Sequence, residues 1–140
     1  MFTRLSSIML ILCFSLAASA EDKVADAPAR VIIVTVKGSF LTKGRPQQPI
    51  VIKTKEELTT ALGDKNAIET VLKEVDFAKE QLILFSWAGS GQDQITADDE
   101  KSKDGEVMFR YKPGRTRDLR PHLRLFAIAK DAKWKVATGF

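Results

Sequence analysis

Guanidinium, imidazole and carboxylate groups crowd one late stretch of this chain, and they are the side chains best equipped for chemistry. Between Arg110 and Arg124 stand the cations Arg110, Lys112, Arg115, Arg117, Arg120 and Arg124, with Asp118 as the one carboxylate and His122 as the only histidine of the sequence. A guanidinium presents a planar fork of donors, so it grips carboxylate, sulfate or phosphate through two bonds at once, which an ammonium cannot do. The stretch therefore predicts an anion-binding or partner-binding face made of Arg110, Arg115, Arg117, Arg120, His122 and Arg124. Alternation along a strand from Pro121 to Ala129 puts His122, Arg124 and Phe126 on one side, and Arg110 on a neighbouring strand can join them. The competing reading is a wet sheet face, with arginine stems lying over apolar surface and ion pairs to nearby acids.

Other constellations carry less. Gly89-Ser90-Gly91 lacks the spacing of a nucleophile elbow, because Ala88 and Gln92 stand two residues either side of the serine. A turn between strands is the preferred reading, with a small serine-type hydrolase using Ser90 and His122, and Asp118 or Asp93 behind them, kept as an alternative. Asp93, Asp98, Asp99, Glu100, Asp104 and Glu106 make an acidic segment that departs from the EF-hand spacing. It reads as a solvated hairpin tip, with Ca²⁺ binding left open. One histidine and one cysteine, Cys13, are too few for a zinc centre. Trp87 and Trp134 read as core rather than as a sugar platform. No catalytic residue, metal or cofactor is assigned.

The N-terminus is an address. Arg4, the apolar stretch Ile8 to Leu16 and the small residues Ala18-Ser19-Ala20 follow the layout of a secretory signal peptide over residues 1–20. A polar leader, residues 21–29, then precedes a single domain over 30–140. This predicts an exported protein, periplasmic or extracellular, with no membrane span after cleavage and no cysteine left to form a disulfide. Across the whole 140 residues, 44% hydrophobic and 29% charged side chains suit one folded domain and exclude a polytopic membrane protein. The net charge of +4 is too small to argue for nucleic acid.

The elements that must position these groups follow from pattern. Arg30 to Val36 is a β-branched run, predicted as a central strand or one covered on both faces, and Ile50 to Lys53 is a short second strand. Thr54 and Glu57 form a capping box before a helix to Leu62, and Gly63 breaks it. Asp64 caps a second helix to Glu74, with Ile68, Val71, Leu72 and Val75 as its core stripe. Gln81 to Trp87 is a strand with Ile83, Phe85 and Trp87 on one face and Leu82 and Leu84 on the other, broken or bulged at Gly89-Ser90-Gly91. Gln92–Ala97 and Glu106–Lys112 are hairpin arms, the second dry on its Val107, Phe109 and Tyr111 side. Pro121–Ala129 and Lys133–Ala137 complete the set. Helices early and strands late predict an α+β fold, a twisted, mainly antiparallel sheet of five to seven strands with one or two helices on one face.

Asp76-Phe77, then Glu80-Gln81-Leu82-Ile83-Leu84, Gly89-Ser90-Gly91, Ile95, a second hairpin arm and Arg120-Pro121-His122 leading into Leu123 to Ala129 form a sequence of landmarks. Over Asp76 to Ala129 this resembles the PrcB-like C-terminal domain of small secreted bacterial proteins. That family usually has a Gly-Gly turn and a Tyr-Pro pair where this chain has Gly-Ser-Gly and Arg-Pro. The resemblance implies a non-catalytic, protein-binding role and transfers no catalytic residue. The sequence thus predicts a secreted or periplasmic binding module that docks a protein partner or an anionic polymer of the cell envelope. The alternatives are the serine-type hydrolase and a structural domain of an envelope assembly that uses a free edge at Ile50 to Lys53.

Overall fold

Thr54 and Asp64 start the two helices as their spacing requires. A computed structural model describes residues 29–34, 44–98 and 105–138. The predicted signal peptide, nearly all of the predicted leader, the end of the Arg30–Val36 run and the predicted acidic tip from 99 to 104 lie outside the described residues. Helix α1, Lys55–Leu62, begins where the Thr54 hydroxyl accepts from the amide of Glu57. The Glu57 carboxylate reaches back to the Lys53 amide, 2.6 Å away. At its end Gly63 takes φ 63°, a left-handed conformation that costs glycine nothing. Helix α2, Lys65–Glu74, is capped by the Asp64 carboxylate on the amide of Ala67. Its buried stripe is Ala67, Val71 and Val75, while Leu72 lies at the stripe's rim, 37% exposed. The apolar arc is thus centred nearer Ala67 than the predicted one.

Seven strands are described: β1 Arg30–Ile32, β2 Ile50–Ile52, β3 Glu80–Ser90, β4 Gln94–Ala97, β5 Glu106–Lys112, β6 Leu119–Ala129 and β7 Lys133–Thr138. They form two sheets rather than one. The first is fully antiparallel in the order β1-β6-β3-β2, and the second has the order β4-β5-β7. In the second sheet β4 pairs antiparallel with β5, and β5 pairs parallel with β7. The chain leaves β5 for the first sheet and returns, so β6 is the crossover that makes the parallel pair. The α+β class and the mainly antiparallel pairing agree with the sequence reading.

The layers are helices, four-stranded sheet and three-stranded sheet. Leu82 and Leu84 of β3, with Leu125 and Ala127 of β6, pack against Leu58, Leu62, Ala67 and Val71. On the other face Ile83, Phe85 and Trp87 meet Ile95, Val107 and Phe109 of the smaller sheet, with Phe126 and Ile128. Phe85 meets Phe109 and Phe126 edge-on and those two rings tilt against each other, with ring centroids 4.9 to 5.8 Å apart across the cluster. The two-faced pattern read from β3 is the one observed. β1 is not the expected central strand. Among the described residues it pairs only with β6 and lies at the sheet edge, with Val31 52% exposed. A continuous apolar run states that both faces are greasy; it does not state that both are covered. β3 also runs unbroken through Gly89 and Ser90, which pair with Arg120 and Leu119. β2 likewise pairs on one side only among the described residues.

Candidate functional site

At the far end of β3 the segment 113–118, linking β5 to β6, is laid against the β3–β4 turn. Buried Asp93 holds it. One Asp93 oxygen accepts from the Gly114 amide at 2.7 Å; the other accepts from Trp87 Nε1 and the Tyr111 hydroxyl, each at 3.0 Å. Asp93 is only 5% exposed. Burial pushes its carboxyl up, but the Gly114 amide, the Trp87 and Tyr111 donors and the nearby His122 outweigh it, and the net shift is downward. Burial and the Asp93 carboxylate together push the Tyr111 phenol up to about 12.

Two further ties fix the segment. The Thr116 amide donates to Ser90 Oγ at 3.1 Å, and the two hydroxyls share a hydrogen bond of 2.6 Å. Asp118 accepts from the Gly91 amide at 3.1 Å and forms an ion pair with Arg120. The Thr116 side chain, the Gly91 amide and the Arg120 charge hold the Asp118 carboxyl at about 2. Glycines make this close approach possible. A Cβ on Gly114 would lie 2.3 Å from Ser90 Oγ, and one on Gly91 would lie 2.5 Å from an Asp118 oxygen.

His122 stacks on the Trp87 ring, with centroids 4.7 Å apart and planes 14° from parallel. Its Nε2 lies 2.7 Å from the Ser90 carbonyl oxygen, which can only accept, so Nε2 carries the proton. Ser90 Oγ is engaged by Thr116 instead, and the nucleophile–base hydrogen bond of a serine hydrolase is not made.

Contacts alternate along the segment. Gly114, Thr116 and Asp118 make the inward hydrogen bonds, Thr116 while itself exposed, and Arg115, Arg117 and Leu119 between and beyond them are exposed, Leu119 at 79%. Three of the six residues singled out in the sequence, Arg115, Arg117 and Arg120, therefore sit on one anchored loop and its exit, and His122 follows two residues later on β6, partly buried. The structure does not bring Arg110 to them. On β5, Val107 and Phe109 face the core, so Arg110 projects from the outer face of the smaller sheet, where it pairs with Asp98. β5 and β6 belong to different sheets, which adjacency in sequence did not reveal. Arg124 lies farther along β6, opposite Phe85, and bonds the Leu123 carbonyl. The Arg-rich stretch is thus divided by the strand change.

Sequence reasoning missed the anchoring role of Asp93, which it grouped with the solvated acids and otherwise named only behind Ser90 and His122 in the hydrolase alternative. A signal existed: Trp87 and Tyr111, both placed on dry faces, each carry a polar hydrogen that needs a buried acceptor. Among the described residues no three His, Cys, Asp or Glu side chains converge as metal ligands, and no helix is long and apolar enough to cross a membrane. An open groove of about 640 Å³ at the opposite end of β3 is lined by Lys53, Gln81, Lys130, Lys133 and Trp134, with Glu106 and Asp131. None of the six predicted residues borders it. No protein-family model, curated protein or solved structure matches the chain.

Proposed function

We infer that this is a non-enzymatic binding module of an exported protein, which docks an anionic partner through Arg115, Arg117 and Arg120. One observation carries the reading: Arg115 and Arg117 are exposed and make no ion pair or hydrogen bond with a described residue, on a segment anchored to buried Asp93. A prearranged loop loses little freedom on binding, so more of the guanidinium attraction is left for affinity. Arg120, tied to Asp118, is the least available of the three. The signal-peptide pattern of residues 1–20 supports export to the periplasm or beyond, and the resemblance to the PrcB-like domain supports a protein partner.

The test is retention of the mature protein on immobilised polyglutamate and on heparin, beside the Arg115→Ala/Arg117→Ala double variant. Both side chains are exposed, so the variant should fold with stability within about 0.5 kcal/mol of the parent. The parent should be retained at low salt and released as salt rises, as ionic contacts require, and the variant should elute much earlier. Equal retention of the two would remove the loop from consideration.

A further inference from the structure

We propose that the ligand of this loop is an acidic polypeptide segment in extended conformation, lying along Arg115 to Leu119. The proposal rests on the binding reading above and adds the class of ligand. Three features of the loop point the same way. First, the inward hydrogen bonds fall on every second residue, Gly114, Thr116 and Asp118, as in extended backbone, which leaves exposed Arg115, Arg117 and Leu119 at the alternate positions. Alternate side chains of extended backbone recur at roughly 6.5 Å, so acids at alternate positions of an extended peptide fall opposite the two guanidiniums in register.

Second, the backbone is half used. The amides of Gly114 and Thr116 are spent inward on Asp93 and Ser90, while those of Arg115 and Arg117 have no acceptor among the described residues. A peptide carbonyl can take each of them, as when a strand adds to a sheet edge. Third, the row ends on Leu119, 79% exposed and apolar. A peptide side chain covers it and gains from doing so; a phosphate or sulfate polymer has nothing to offer it.

Affinity is measured by calorimetry for a synthetic peptide of alternating Glu and Thr ending in Val, for its counterpart with Gln in place of Glu, and for polyphosphate. The Glu peptide should bind, and the Gln peptide roughly tenfold more weakly, the effect of two exposed charge pairs together. Leu119→Asn should weaken the peptide and leave polyphosphate unchanged. On titration with peptide the amide resonances of Arg115 and Arg117 should shift most. Polyphosphate binding with no response to the peptide, or peptide binding that ignores both Leu119→Asn and the Gln exchange, overturns the peptide assignment while leaving an anion-binding loop. Absence of binding to the Glu peptide and to polyphosphate alike overturns the loop's binding role as well.

Discussion

Replacing Asp93 by Asn keeps the side chain's shape and removes its charge. In the native protein the carboxylate accepts three hydrogen bonds in a site that is 5% exposed. An amide oxygen left on Gly114 turns its NH₂ toward Trp87 and Tyr111. The Tyr111 hydroxyl can rotate and accept, but the indole N–H only donates and is stranded in the core. A stranded buried donor costs about 1–3 kcal/mol, and converting the Gly114 bond from charged to neutral costs about 1 more. The expected loss is about 2–4 kcal/mol, or roughly 10–20 °C in Tm for a domain of this size. Urea unfolding followed by tryptophan fluorescence, repeated across pH, reads both the size and the cause. The native Asp93 carboxyl titrates below its unfolded value, so its contribution is complete above about pH 4 and disappears as pH falls through the folded pKa. The gap between parent and Asp93→Asn should be constant from about pH 5 to 8 and should narrow in acid. A gap under about 0.5 kcal/mol at neutral pH, or one that persists unchanged into acid, refutes the reasoning.

Tyr111 is the only tyrosine, so its ultraviolet titration is free of overlap, and half-ionisation is expected near pH 12 rather than 10. Because the folded value is raised, the associated stabilisation is present below the unfolded pKa and is lost as pH climbs through the folded one; an ordinary midpoint would deny the Asp93 bond. Gly114→Ala places a methyl against Ser90 Oγ and should cost about 1–3 kcal/mol in urea unfolding while weakening polyglutamate retention. Thr54→Ala, far from the loop, should cost about 1 kcal/mol through the lost α1 cap and leave retention untouched.

Much of the scaffold was legible because local rules decide it. Caps at Thr54 and Asp64 depend on residues three apart, and the two faces of β3 follow from alternation over a few positions. The Glu106–Lys112 arm showed its dry side for the same reason. What was not legible depends on which strands meet. The division into two sheets, the parallel β5–β7 pair and the edge position of β1 are set by pairings between distant parts of the chain. The site suffered from the same limit. Arg110 and His122 look close in sequence, yet the crossing of β6 into the other sheet sends Arg110 to an outer face. Asp93 looked like its acidic neighbours, since only folding brings Trp87, Tyr111 and Gly114 around it.

The segment 113–118 is held from within by Asp93, Ser90 and Gly91 and leaves its outer side free among the described residues. Amide hydrogen exchange, resolved by residue across 114–117, tests this directly. Gly114 and Thr116, donating to Asp93 and Ser90, should exchange slowly, and Arg115 and Arg117 fast. Uniformly fast exchange over the four residues would contradict the anchored loop, and protection of the Arg115 and Arg117 amides in the free protein would contradict its open side.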